Sequence, residues 1–136
     1  MGGKVETLMT SASIIIILGL VALLQIKHFI CDGPLQTLAM VENKSIYGAW
    51  LGIVHSGLHG IGTLIVLLLA GFSIPVVIGL AVLDFVIHYH VDFFKENIVK
   101  YFRWGTKDAK FWWALSADQA LHQFTYLILV ALAFKA

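Results

Sequence analysis

Charge is scarce in this chain. Of its 136 residues nine are Lys or Arg and eight are Asp or Glu, 12% in all, while 60% are hydrophobic. A soluble domain of this size needs a far more polar surface, so a water-facing exterior on every side is excluded. The one cysteine, Cys31, rules out an intrachain disulfide framework and gives no zinc–thiolate spacing. It is read as a packing residue. The formal net charge is only +1, with no basic helix and no aromatic stacking pattern, which argues against a nucleic-acid binder. Proline is limited to Pro34 and Pro75, which leaves long stretches in which a helix need not be broken.

What the chain has in abundance is apolar length, and its mean hydropathy is +0.89. A bilayer core takes about 20 mostly apolar residues per helix. Four segments meet that length, at about 8–30, 47–70, 74–94 and 111–134. The first follows Lys4 and has the look of a secretory leader, but its length and the lack of an A-x-A site after it favour a retained helix. Asp32-Gly33-Pro34 is expected to end the first span, since proline disfavours helix at the residue before it. Residues 35–43 suggest a short interfacial helix. Gly71-Phe72-Ser73, with Pro75 suited to a first helical turn, predicts a tight hairpin between spans two and three. The expectation is one domain over 1–136: an all-α, integral membrane four-helix up-down bundle.

Lys27, Lys44, Lys95, Lys100, Arg103, Lys107 and Lys110 fall on the face that holds the first and third loops, against Lys4 and Lys135 on the other. Short loops rich in Lys and Arg stay in the cytoplasm. Both termini are therefore expected outside it. Tyr101, Trp104 and the Phe111-Trp112-Trp113 run would anchor the cytoplasmic interface.

Each span also carries a same-face pair of ionisable residues four apart: His28 and Asp32, His55 and His59, His88 and Asp92 (with Asp84 a turn before), and Asp118 and His122. The pairs lie near the ends of spans one and three and near the starts of spans two and four. An up-down bundle brings those ends together, so all four pairs converge near the cytoplasmic face, with a deeper His-rich layer and a shallower Asp-rich one. Ionisable residues at membrane depth are costly and mark function. A lone histidine there is commonly a helix–helix hydrogen bond; four convergent pairs favour ligation. Imidazole with carboxylate and no thiolate suits zinc, iron or manganese, as one or two ions. The candidate metal ligands are His28, Asp32, His55, His59, His88, Asp92, Asp118 and His122, and Asp84 or Asp118 is the candidate proton acceptor in catalysis. His90 falls off the shared face and is read as interfacial. Gln36, Gln119 and Gln123 are candidate hydrogen-bond partners. Gly48, Gly52, Ser56 and Gly60 make a small-residue ridge that would let span two approach a neighbour closely. The repeat of His28…Asp32 in His88…Asp92 suggests two pseudo-equivalent hairpins.

From about residue 23 to 129, four stretches occur in an order that resembles a bacterial and phage membrane family, domain of unknown function 3307. They are His28-Phe29-Ile30-Cys31-Asp32 with Gln36, the His55 helix, His88 and Asp92 with Phe93-Phe94-Lys95, and Asp118-Gln119 with His122. Gly33 stands where that pattern suggests an aromatic residue. More loosely, His/Asp pairs on a small helical bundle resemble the membrane-bound metal-dependent hydrolases. The resemblance implies a metal-binding protein of the bacterial inner (plasma) membrane. The leading expectation is a metal-dependent hydrolase acting at the cytoplasmic leaflet on an amphipathic phosphate or ester, a lipid-like substrate. An accessory subunit holding a metal, haem or chlorophyll in a larger membrane complex is the alternative, and a proton or metal relay the third. The bilayer is the expected partner, with a homo-oligomer or larger complex open.

Orientation is directly testable. In a Cys31→Ser background, a cysteine at Gly3 should react with a membrane-impermeant thiol reagent on intact cells, and one at Gly105 should not. Labelling at 105 and protection at 3 would invert the topology.

Overall fold

The chain reverses at Gly71, whose φ of 83° is open to glycine at little cost. The Phe72 N–H reaches back to the Leu67 carbonyl at 3.2 Å and the Gly71 N–H to that of Leu68 at 3.0 Å, which together close off the helix before it. Pro75 then falls in the first turn of the next helix, where it needs no amide hydrogen. The predicted hairpin is present.

In the computed structural model, which describes residues 2–136 with side chains from Ser13 onward, five helices follow in order. These are α1 (Gly2–Asp32), α2 (Leu38–Asn43), α3 (Trp50–Leu69), α4 (Ile74–Tyr101) and α5 (Ala109–Lys135). The fold is all-α, 81% helical. The side chains of Lys4 and of residues 8–12, part of the first expected span, lie outside the described residues. The Thr37 hydroxyl caps α2 by accepting from the Met40 N–H at 3.2 Å.

Three helices are long and apolar enough to cross a membrane: Ser13–Asp32 of α1, Trp50–Leu69 and Ile74–Tyr101. The fourth expected span differs. The first half of α5 holds Asp118, Gln119, His122, Gln123 and Thr125, which lowers its average apolarity. Asp118, His122 and Thr125 are buried, while Leu121, Phe124, Leu127 and Ile128 point outward. The polarity of α5 is turned inward and its outer face is apolar.

Two boundaries also move. α4 continues seven residues past the expected end at Phe94 because Lys95 to Tyr101 carry no breaker, so the polar connection shrinks to the residues between Tyr101 and Ala109. The small-residue ridge divides. Gly48 lies before α3 in a left-handed turn, φ 77°, and is no part of a helix face. Gly52 faces the Asn43 carbonyl beside α2, and Gly60 lies against α4, where an added Cβ would stand 3.1 Å from the Ala81 oxygen.

Contacts run from α1 to α3, α3 to α4, α4 to α5 and α5 back to α1, a closed ring with α2 laid on α3. At the end holding the Gly71 turn the interior is apolar, with Leu20, Leu24, Leu67, Leu80 and Leu129 among its members. Toward the other end it becomes polar. The outer faces expose Leu18, Phe29, Ile61, Leu69 and Val82 among many other large apolar side chains.

The α3–α4 contact predicts opposite effects for two glycines of one helix. Gly60→Leu should lower stability by about 1–3 kcal/mol by overpacking the Ala81 backbone. A Cβ at Gly57 meets nothing within 4 Å, so Gly57→Ala should raise it by roughly 0.5–1 kcal/mol. Unfolding of the purified protein in detergent reads both.

Candidate metal centre

Four helices present polar ladders at four-residue steps: His55, His59 and Thr63 on α3; Asp84, His88 and Asp92 on α4; Asp118, His122 and Tyr126 on α5; and His28 and Asp32, with Lys27 beside them, on α1. Every one of these is buried except Asp32, which is partly exposed. The i, i+4 pairs close within their own helices. Nε2 to carboxylate distances are 3.0 Å for His28–Asp32, 3.2 Å for His88–Asp92 and 3.4 Å for His122–Asp118. The pairs of α1 and α4 turn into the same cluster.

Asp32 is the hub, and its two oxygens divide the work. Oδ2 lies 3.0 Å from His28 Nε2 and accepts from Gln119 Nε2 at 3.4 Å. Oδ1 faces three other imidazoles, with His59 Nε2 at 3.0 Å, His55 Nε2 at 3.2 Å and His88 Nε2 at 4.0 Å. His55 Nε2 and His88 Nε2 are themselves 3.2 Å apart. A tetrahedral ion with ligand bonds of about 2.0–2.1 Å has ligand–ligand edges of about 3.3–3.4 Å. Four of the six separations in this group, 3.0–4.0 Å, fall on either side of that edge. Asp32, His55, His59 and His88 thus form one group close enough to hold a metal ion, and His88, Asp92 and His122 form a second that shares His88. In each group the ligand atoms lie within 4.8 Å of one another. The Nδ1 atoms of His55, His59 and His88 are buried and make no hydrogen bond, so Nε2 is the nitrogen that each ring commits to the cluster.

Hydrogen bonds around His28 define its tautomer. Both neighbours of Nε2, the Asp32 carboxylate and Gln119 Oε1 at 3.0 Å, accept, so Nε2 carries the hydrogen. Nδ1 then accepts from the Tyr126 hydroxyl at 2.7 Å, and that hydroxyl accepts from Lys27 Nζ at 3.1 Å. His28 joins neither metal group and instead orients Asp32, as a hydrogen-bonded neighbour commonly does for a ligand.

Lys27 and Lys44 differ from their expected role as orienting charges of the cytoplasmic loop face. Both are buried. Lys27 Nζ lies 2.8 Å from Asp84 Oδ2, which also accepts from the Thr63 hydroxyl at 2.6 Å. Lys44 Nζ lies 2.9 Å from Asp92 Oδ2. A Cβ at Gly62 would sit 2.4 Å from Lys27 Cγ, so that glycine leaves the channel through which the lysine crosses from α1 to α4. Asp84, a candidate proton acceptor, is therefore engaged in an ion pair one turn below the imidazoles and joins neither metal group. Asp118 also joins neither; its Oδ1 lies 3.4 Å from His122 Nε2.

Of the three glutamines, Gln119 reaches the cluster, Gln36 donates to the Asp32 backbone carbonyl at 3.1 Å, and Gln123 is exposed. His90 stays outside, its Nδ1 donating to the Val86 carbonyl at 2.8 Å, and Cys31 is buried as packing. Thr63, Tyr126 and the internal roles of Lys27 and Lys44 were not read from the sequence. For Thr63 and Tyr126 a signal existed, because each lies four residues beyond a cluster histidine on the same face.

Fold and site together define an all-helical chain with buried imidazole–carboxylate groups spaced for a metal ion. The chain belongs to the family described as "Protein of unknown function (DUF3307)", whose model matches residues 20–136 and so takes in every residue of the cluster. No curated protein and no solved structure matches it.

The deep ion pair carries a stability prediction. Lys27→Ala leaves the Asp84 carboxylate buried without its cation and should cost about 3–5 kcal/mol, whereas joint replacement of Lys27 by Met and Asp84 by Leu should recover most of that loss. Equal instability of the single and double variants would show that the pair is not what Asp84 depends on.

Proposed function

We propose that this chain is an integral membrane protein, a four-helix bundle of the bacterial inner membrane, that holds one divalent transition metal between Asp32, His55, His59 and His88 and acts as a hydrolase. The observation that carries the metal reading is the state of Asp32. Among the described residues no Lys or Arg pairs with it, yet three imidazole nitrogens surround one of its oxygens at the spacing of a coordination shell. A carboxylate in that position needs a positive charge.

Charge balance supports one ion rather than two. The interior contains four carboxylates, Asp32, Asp84, Asp92 and Asp118, and two ammonium groups, Lys27 and Lys44. With neutral imidazoles the formal excess is two negative charges, and a single divalent cation removes it. His88 also limits the count, because it is common to both groups and commits one nitrogen. Zinc, iron and manganese all suit such a donor set.

An ion held by Asp32, His55, His59 and His88 would supply Lewis-acid activation of water and of a substrate oxygen. The chain's own residues supply the rest. His28 and Gln119 hold Asp32 in place, and Lys44 neutralises Asp92. Asp118, next to His122, accepts the proton, with His122 as its partner. Asp84 is a less apt acceptor because Lys27 and Thr63 already occupy its Oδ2. The Asp32 side chain is 20% exposed, which leaves water a way in. The apolar outer faces and the aromatic residues at the end of α4 and the start of α5 support a membrane position; the basic residues Lys95, Lys100, Arg103, Lys107 and Lys110 are the reason to put the metal near the cytoplasmic side and both termini on the other.

Elemental analysis of protein purified without chelator should find about one transition metal per chain. Single Ala substitutions at His55, His59 and His88 should each lower that content by tenfold or more, in line with losing one of four ligands. His90→Ala should leave it unchanged. A folded wild-type protein free of stoichiometric metal would end both the metal and the hydrolase readings.

A further inference from the structure

Beside the candidate metal centre, α4 and α5 border a groove of about 570 Å³, within the range that small-molecule sites occupy. Its walls are apolar: Phe94, Ile98, Trp113 and Leu121, all exposed. Lys95, Lys110, the Trp104 ring and Asp118 complete its lining. Asp118 is also the carboxylate 3.4 Å from His122 Nε2, so one residue belongs to both the groove and the cluster. Such a groove joins three features: an apolar trough, two lysines in its lining, and an edge shared with the cluster through Asp118.

Each feature restricts the occupant. A wholly apolar ligand would leave the lysines without a role. A small water-soluble anion would leave the trough unfilled and bury nothing against four large side chains. An amphipathic anion satisfies both, with its chain along α4 and α5 and its headgroup among the lysines. Lysines at such a site can lay their methylene stems on the apolar wall and keep their ammonium groups at the polar boundary. Lys110 Nζ lies 5.7 Å from the centre of the Trp104 ring. The chain bends sharply to bring that ring there. Arg103 adopts a φ of 55°, left-handed and uncommon for a residue with a side chain, and the Trp104 N–H closes back on the Val99 carbonyl at 3.0 Å. Lys95 is held next to Glu96, so Lys110 is the cation freer to take a headgroup.

We propose that the α4–α5 groove binds a long-chain anionic phospholipid, its acyl chain against Phe94, Ile98, Trp113 and Leu121 and its phosphate at Lys110 and Lys95. That this lipid is also the substrate class of the hydrolase rests on the preceding functional reading; its binding does not.

Full-length protein, purified in detergent and stripped of lipid, is mixed with dioleoyl phosphatidylglycerol, dioleoyl phosphatidylcholine or glycerol 1-phosphate, and adducts are counted by native mass spectrometry. Phosphatidylglycerol should be retained in preference to phosphatidylcholine, and glycerol 1-phosphate at the same concentration should give no adduct. Lys110→Gln should reduce the preference about fivefold, the effect of one lysine at a lipid phosphate. Ala117→Phe, which puts a ring into the trough from an exposed position, should abolish retention. Equal retention of the two lipids, an equal glycerol 1-phosphate adduct, or retention unchanged in both variants overturns the proposal. If Ala117→Phe fails to fold, Lys110→Gln decides alone, since that side chain packs on no core residue. Metal content, measured on the same samples, separates the two readings: lipid bound without metal removes the hydrolase and keeps the groove, and metal without selective lipid does the reverse.

Discussion

An ionised side chain taken out of water must meet an opposite charge or lose several kcal/mol, and this constraint governs the polar half of the molecule. Asp84 meets Lys27 and Asp92 meets Lys44 at under 3 Å. Asp32 and Asp118 meet imidazoles. The two satisfied pairs determine how the ring is put together. Lys27 crosses from α1 to α4, two helices on opposite corners of the ring, past the open space at Gly62. Lys44, at the end of α2, ties the first connection to α4. Side chains of opposite charge thus span the ring where helix backbones do not meet. What is left over is the negative charge at Asp32 and Asp118, and the imidazole nitrogens around Asp32 are the strongest reason to expect a cation there.

Around that centre the usual distribution of polarity is reversed. Buried positions at one end are filled by His, Asp, Lys and Thr, while outward positions are filled by Leu, Ile, Val and Phe. The same inversion accounts for the weak apolarity of α5 as a whole, since its inward ladder of Asp118, His122, Thr125 and Tyr126 offsets an apolar outer face. It also gives the site two approaches. One leads through the partly exposed Asp32, the other along the α4–α5 groove to Asp118.

Much of this was legible from residue spacing. The step of four between His55 and His59, His88 and Asp92, and Asp118 and His122 predicts a shared face on each helix because the α-helix turns in 3.6 residues. The Gly71 turn with Pro75 predicts the hairpin because only particular backbone angles close it. Convergence of the pairs follows once the chain alternates direction. His90 and Cys31 lie outside the cluster for the same reason: they are off those faces. Less legible was the extent of α4, since a bilayer-length expectation stops it at Phe94 although nothing in Lys95 to Tyr101 breaks a helix.

Charge partners were beyond the reach of the sequence. Lys27 and Lys44 have the composition of loop-face cations, and nothing local distinguishes them from Lys100 or Lys107. Whether a lysine faces water or a buried aspartate depends on which helix stands opposite and whether a glycine there leaves room, and that is decided by contacts between residues far apart in the chain: 57 positions for Lys27 and Asp84. The division among the acids is of the same kind. Asp32, Asp84, Asp92 and Asp118 are alike as inward-facing carboxylates in the sequence. Packing alone gives Asp84 and Asp92 their ammonium partners, sets Asp118 at the groove, and leaves Asp32 among imidazoles. Helix periodicity, a local property, determined which residues turn inward; tertiary packing, a property of the whole ring, decided which of them neutralise one another and which remain free for chemistry.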